Sequence, residues 1–399
     1  MSIFDKFQHI RETRERLAAL GLTPFGAETT EIYSATEGLI EGRRTILAGT
    51  NNYLGMTFQP RCIEAAREAL AEQGTGTTGS RMASGTYGGH AALEREFAAF
   101  YGEPACIVFT TGYQANLGIL STLAGRGDVL LIDADSHASI YDGARMSEAE
   151  VIRFRHNDPM DLDKRLRRLG ERAKNALIVV EGIYSMLGDT APLAEIVQVK
   201  NRHGAYLLVD EAHSLGILGE RGRGLVEQAG VQDQVDFIVG TFSKSLGSIG
   251  GFCVSRHPEL ELVRFASRAY VFTASGTPAI IAGAREALRI LAGGQELRAQ
   301  LRDNGRRLHG GLRELGFRLG CAEPGPVVAV VMDSPEQAIE HWGRLLAAGV
   351  YVNLVLPPGA PDGHSLLRVS LSAAHTMAQV EAILGAFASL RVSEPAPAD

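Results

Sequence analysis

Four groups of reactive side chains stand where four apolar runs end. His137 follows "DVLLIDADS", Ser185 follows "VVEGIY", Asp210 and His213 close "YLLVDEAH", and Lys244 follows "DFIVGTFS". The lysine raises the sharpest question. It sits in "GTFSKSLG" among small and apolar residues, where an ammonium is costly to bury alone. Lysine is seldom fully buried unless paired. Either Lys244 is a surface-turn residue, or it is a reactive amine whose charge is meant to be lost. Each group also has a bland reading when taken singly. A lone histidine commonly serves a structural hydrogen bond, and an aspartate at a strand end commonly caps a helix. Their joint occurrence at the mouths of neighbouring strands is what calls for a chemical explanation.

That chemistry is the binding of pyridoxal 5'-phosphate. A lysine amine with a lowered pKa condenses with an aldehyde to a Schiff base. A buried carboxylate such as Asp210 pairs with a pyridine nitrogen and keeps it protonated, making the ring an electron sink. His213 can hydrogen-bond the ring's phenolic oxygen, and His137 can lie over the ring face. A phosphate needs backbone N–H groups and hydroxyls at a turn or helix start. Gly112 and Tyr113 in "TTGYQANLG", with Thr241 and Ser243 beside the lysine, supply them.

The elements that must position these residues follow from periodicity. From about residue 88 the pattern alternates. Helices are expected in "GGHAALEREFAAFYG", "YQANLGILSTLAG" and "MDLDKRLRRLGERA". Between them lie the short apolar runs "ACIVFTTG", "DVLLID", "EVIRFRHN", "ALIVVEG", "AYLLVDEAHS", "DFIVGTFS" and "GGFCVS". Continuous Val/Ile/Leu-rich runs separated by helices mark strands buried on both faces. The expected fold is therefore α/β with a mainly parallel sheet flanked by helices. Ligands in such folds bind beyond the carboxyl ends of the strands. Before this region, residues 2–20 read as a helix and "TILAGTNNYLG" as a short strand with its loop. A helix runs from Pro60 to a stop at Gly74. From about residue 278 two long helices precede the spaced strands "VVAVVM", "YVNLVL" and "SLLRVSL" and a last helix, "TMAQVEAILGAFASL". The expected division is an N-terminal helical arm (1–48), a large cofactor-binding domain (49–280), a smaller C-terminal α+β domain (281–392) and a disordered tail (393–399).

Composition narrows the function classes. A net charge of −7 and a pI near 5.9 argue against a general nucleic-acid binder. The four cysteines include no C-x-x-C pair and read as reduced thiols of a cytoplasmic protein. "MSIFDKFQHIRETRERL" has no apolar core for a signal peptide, and no run approaches the roughly 20 apolar residues of a membrane span. "GTGTTG" at 74–79 matches a dinucleotide fingerprint by letters only, because a helix precedes it and not a strand. No G-x-S-x-G elbow and no metal-ligand spacing occur.

Several motifs together then resemble one family. "DADSHASIYDG", "EGIYSMLGDTAPL", "VDEAHSLGILGERGRG", "GTFSKSLGSIGG" and "YVFTAS" are similar to the α-oxoamine synthases, fold type I pyridoxal-phosphate transferases. The likeness spans roughly residues 10–390, and "DEAHS" with "GTFSKS" is most similar to the bacterial serine palmitoyltransferase branch. It implies a decarboxylative condensation of L-serine with a long-chain acyl-CoA such as palmitoyl-CoA. The products would be 3-oxosphinganine, CoA and CO2, at the entry to sphingolipid synthesis. The alternatives are a sister synthase acting on glycine or alanine (8-amino-7-oxononanoate, 2-amino-3-oxobutyrate or 5-aminolevulinate type) and a non-catalytic partner subunit. The resemblance further implies Lys244 as the cofactor's covalent anchor, Asp210 on the pyridine nitrogen, His213 on the ring oxygen and His137 stacked and touching substrate. Gly112, Tyr113, Ser185, Thr241 and Ser243 would complete the cofactor pocket. Thr273 would reach the phosphate of a neighbouring subunit, making a homodimer with shared sites. Asn52 would border the site, and Arg368 would hold the amino-acid carboxylate. Two positions depart from the branch: Leu356 stands where a second arginine is usual, and Gly276-Thr277 where Leu-Pro is.

Overall fold

The structure is a computed structural model and describes residues 2–19 and 26–391. The expected tail, 393–399, lies outside the described residues, as does the end of the first expected helix at position 20. That helix runs Gln8–Ala19 and is preceded by a short 3-10 turn, Asp5–Phe7. Ser2 accepts the N–H of Phe4 with its side chain, so it caps the turn and not the helix.

The centre of the fold is a seven-stranded sheet. Its spatial order is Ala105–Phe109, Gly251–Ser255, Phe237–Thr241, Tyr206–Asp210, Ala176–Glu181, Val129–Asp133, Glu150–Phe154. Gly251–Ser255 pairs antiparallel with both neighbours, and the remaining pairings are parallel. The inner strands are buried almost from end to end, as continuous apolar runs require. Their alternating side chains feed two cores. Val129 and Leu131 enter one, Leu130 and Ile132 the other. Only the edge strand Glu150–Phe154 shows mostly exposed residues.

Two smaller sheets flank this one. Val327–Met332, Ser365–Ser370 and Asn353–Val355 form an antiparallel trio that places Arg368 opposite Ala329 on one side and Asn353 on the other. Thr29–Ile32, Glu37–Ile40 and Arg43–Leu47 form an antiparallel set. The last contains the short strand expected in "TILAGTNNYLG", and the first two were not foreseen in the sequence. The helical character expected for 1–48 is thus confined to its first part. "YVNLVL" was expected as one strand but is two. Val350–Tyr351 joins Arg43–Leu47, and Asn353–Val355 joins Ser365–Ser370. The break falls at Val352, whose carbonyl takes the indole N–H of Trp342 at 2.9 Å. The helix expected through residue 173 stops at Leu169, because Gly170 turns to φ +58° and a 3-10 segment follows. "GTGTTG" is a loop behind the helix Pro60–Gln73.

Candidate active site

Six parallel strands end on one rim, at Phe109, Asp133, Phe154, Glu181, Asp210 and Thr241. A cavity of about 290 Å³ opens there, near the lower size of small-molecule sites. Gly112, Tyr113, His137, Asp210, His213, Thr241, Ser243 and Lys244 all line it, with Asn116, Ser139 and Glu181. Residues separated by over a hundred positions are brought together because each follows a strand of the same parallel sheet.

Asp210 ends its strand buried. Oδ1 accepts the N–H of Ala212 at 2.9 Å and Oδ2 accepts Asn116 Nδ2 at 2.7 Å, a donor set suited to an ionised carboxylate. Asn116 lies one helical turn beyond Gly112, in the helix Gly112–Leu123. Its Nδ2 also donates to Ser139 Oγ at 3.0 Å. Ser139 Oγ in turn lies 2.8 Å from His137 Nδ1. His137 caps the helix Ala138–Met146, its Nδ1 accepting the N–H of Ser139 at 3.2 Å. Burial lowers the pKa of His137, partly opposed by Asp210.

Lys244 follows the strand Phe237–Thr241. Burial pushes its amine down to about 8, against the attraction of Asp210. A substantial neutral fraction near neutral pH is what a nucleophilic amine needs. His213 is held well below the usual imidazole range by burial, reinforced by the positive charges of Lys244 and Arg368. Its Nδ1 lies 2.7 Å from the hydroxyl of Tyr53.

Tyr53 extends the site beyond the cavity. Its hydroxyl donates to Asn51 Oδ1 at 3.2 Å, and the same oxygen accepts both terminal nitrogens of Arg368, each at 3.2 Å. Arg368 is 5% exposed and also donates from Nε to the carbonyl of Ser185 and from a terminal nitrogen to Ser370 Oγ at 2.8 Å. No carboxylate pairs with this buried guanidinium among the described residues, which suits it to an incoming anion. Ser185 therefore meets Arg368 through its backbone and does not line the cavity. Asn52 does not line it either. Its Nδ2 donates to Thr57 Oγ1 at 2.7 Å and its Oδ1 is buried without a partner. Thr273 accepts Gln114 Nε2 at 3.2 Å, outside the cavity of its own chain. Asn116, Glu181, Tyr53 and Asn51 were missed in the sequence. Only Glu181 carried a visible signal there, as a carboxylate at the end of an apolar run.

Whether these residues fit pyridoxal phosphate can be tested on the phosphate end. Gly112 opens a twelve-residue helix that is capped by Thr111, whose side chain accepts the N–H of Gln114. A Cβ on Gly112 would stand 2.7 Å from that of Thr241, so only glycine leaves the helix start open beside the Thr241 and Ser243 hydroxyls, themselves 2.8 Å apart. The Asp210 carboxylate lines the same cavity, and Asn116 Oδ1 is buried without a partner among the described residues. An anion cradle, a free amine and a buried acid around one cavity fit the group.

The aminotransferase class I and II profile matches residues 44–387. The chain belongs to that family. Within it, this member of the class I and II aminotransferases stands with the α-oxoamine synthases of fold type I. It is 56% identical to a serine palmitoyltransferase of Caulobacter vibrioides, over 99% of this chain and 98% of the relative. It is 40% identical to an 8-amino-7-oxononanoate synthase of Alkalilimnicola ehrlichii, over 87% of this chain and 88% of that one. A solved serine palmitoyltransferase from S. paucimobilis with a bound PLP–myriocin aldimine superposes with TM-score 0.96 at 49% identity. The match covers 98% of this chain and 99% of that one. The fold is thus that of a pyridoxal-phosphate-dependent transferase.

Proposed function

We propose that this enzyme condenses L-serine with a long-chain acyl-CoA, releasing CoA and CO2 and yielding 3-oxosphinganine. The observation that carries the reading is one cavity lined by Lys244, Asp210, His213 and His137, joined through Tyr53 and Asn51 to a buried arginine that has no acidic partner among the described residues. Full-length similarity to serine palmitoyltransferases supports the choice of substrates.

Lys244, Asp210, His213, Thr241, Ser243, Gly112 and Tyr113 would hold pyridoxal phosphate. When bound, the group supplies an electron sink for negative charge developing at the amino-acid Cα. The protein's own residues then have distinct tasks. Lys244, with its amine pushed down to about 8, exchanges protons near neutral pH. Asp210 is kept in place by Asn116 and the N–H of Ala212, and its charge faces the cavity. His137, neutral and tied to Ser139, is available to orient a substrate carboxylate or a thioester oxygen. Arg368 holds the serine carboxylate, its own geometry fixed by Ser185, Ser370 and Asn51.

Two further expectations belong to this reading. Thr273 lies outside the cavity of its own chain, so a phosphate contact from it requires a second subunit. The neighbouring Phe272, 76% exposed, supports a partner surface there. A homodimer sharing its sites at this edge is part of the proposal. The cofactor-binding domain at 49–280 and the C-terminal domain at 281–392 are proposed on the same basis, each containing one sheet whole. No described helix is long and apolar enough to cross a membrane, and a cytoplasmic enzyme drawing on acyl-CoA is the proposed setting.

Product analysis tests the reading. With carboxyl-labelled L-serine and palmitoyl-CoA, the label must leave as CO2, and a long-chain amino ketone must form without it. Retention of the label in the lipid product would exclude a decarboxylative condensation.

A further inference from the structure

Glu181 is the one acidic residue lining the cavity that the roles above leave unused. It ends the strand Ala176–Glu181 and stands directly opposite Asp210 in the parallel register. It is 3% exposed. Its Oε1 accepts the backbone N–H of His137, at the residue that caps the helix Ala138–Met146. That contact extends a chain of polar groups along the cavity. Glu181 holds the backbone of His137. The His137 ring meets Ser139, Ser139 meets Asn116, and Asn116 meets Asp210. Asp210 is the register neighbour of Glu181.

We propose that Glu181 is a positioning residue, which fixes the turn that carries His137 and so sets the angle of the imidazole over the cavity. The proposal rests on the pyridoxal-phosphate reading of the site and adds to it a residue to which no role has been given.

The protonation state follows from the surroundings. No cation pairs with Glu181 among the described residues, and Lys244 is not within ion-pairing distance. Burying an unpaired carboxylate is costly, and a second one beside Asp210 costs more. Burial first and Asp210 second hold the Glu181 carboxyl well above the usual carboxylate range, while the His137 N–H and Lys244 pull the other way. Asp133 adds to the upward shift. Glu181 therefore works as a neutral acid. Its carbonyl oxygen can accept from His137.

The neutral acid makes a specific forecast, because glutamine copies it in shape and acceptor while aspartate is a methylene shorter. Glu181→Ala should lower kcat by about 10- to 100-fold, the usual cost of removing a residue that orients a ligand-contacting one. KM for the acyl thioester should move little. The visible circular dichroism of added pyridoxal phosphate, which reports the ring's orientation, should fall to half or less. Glu181→Gln should restore both to within about threefold, and Glu181→Asp should resemble alanine.

The experiment is a titration of cofactor-free wild type, Glu181→Ala, Glu181→Gln and Glu181→Asp with pyridoxal phosphate. It is read by visible dichroism and by dissociation constant before any substrate is added. Steady-state assays follow. A dichroism band that weakens in the alanine variant and returns in the glutamine variant supports the proposal. Glutamine as damaging as alanine would overturn it by showing that an ionised carboxylate is required. An alanine variant with lower thermal stability but unchanged dichroism would overturn it by making the residue merely structural. Should the alanine variant fail to fold, the contrast between glutamine and aspartate decides in the same way. If wild type itself binds no pyridoxal phosphate, the functional reading fails, and that outcome is distinct from both.

Discussion

Replacing His156 by glutamine should destabilise the protein in a way that fades as pH rises. His156 follows the edge strand and bridges two loops of the catalytic rim. Its Nδ1 lies 2.8 Å from Asp133 Oδ1, and its Nε2 lies 2.7 Å from Asp189 Oδ2. Its ring meets Tyr184 edge-on at 4.5 Å. Tyr184 and Asp189 bound the loop whose Ser185 carbonyl accepts Arg368. Burial alone would lower the imidazole pKa, but hydrogen bonds to the two aspartates outweigh it and raise the value from 6.5 to about 10.

A raised folded pKa means that the folded state binds the proton more tightly. The stabilisation is complete below the unfolded value and is lost as pH rises through about 10. At pH 7 the linkage amounts to roughly 4 kcal/mol as a ceiling. Solvent reaches the side chain, which is 22% exposed, and about half of that ceiling, roughly 2 kcal/mol, is the expected loss. For a chain of this size that is a fall of about 2–4 °C in Tm. Lys244 acts with the opposite sign. Its lowered pKa makes the cofactor-free protein gain stability between about 8 and 10.5. The readout is therefore the difference between His156→Gln and wild type, both cofactor-free, by thermal melts from pH 6 to 10. The reasoning requires a deficit near neutral pH that shrinks towards pH 10. A deficit that is constant across the series would refute it.

Three further outcomes are expected. Arg368→Ala should raise KM for L-serine by about 10- to 150-fold, the worth of a charge-assisted hydrogen bond, and leave KM for the acyl thioester nearly unchanged in initial-rate assays. Gly112→Ala should push Thr241 aside, since the new Cβ would lie 2.7 Å from Thr241 Cβ. Fluorescence titration should then show about tenfold weaker pyridoxal-phosphate binding, consistent with overpacking worth about 1–3 kcal/mol. The rate at which cofactor-free protein develops visible absorbance with pyridoxal phosphate should follow the neutral amine of Lys244, with a midpoint near pH 8. Lys244→Ala should show no such band, and a band unchanged in that variant would remove the lysine from the site.

Much of this site was legible because parallel α/β sheets concentrate function at one rim. Reading each apolar run as a strand put His137, Asp210, His213 and Lys244 at neighbouring mouths, and all four line one cavity. The links reaching outward from it were not legible. Arg368 and Asn51 lie 317 residues apart, and nothing local announces that an asparagine oxygen gathers both guanidinium nitrogens. Tyr53, inside "NNYLG", reads as an ordinary core tyrosine, and it is fully buried. Yet its hydroxyl joins His213 to Asn51. The strands Thr29–Ile32 and Glu37–Ile40 escaped because the first is exposed along its whole length and so carries no apolar alternation. The division of "YVNLVL" depends on a hydrogen bond from Trp342, which no pattern in the strand itself encodes.

The most direct measurement of the central claim is free-thiol release from palmitoyl-CoA by the pyridoxal-phosphate-loaded protein, with L-serine, glycine and L-alanine compared at equal concentration. The account predicts rapid CoA release with L-serine and little with the other two. Faster release with glycine or alanine, or no amino-acid-dependent release at all, would contradict it.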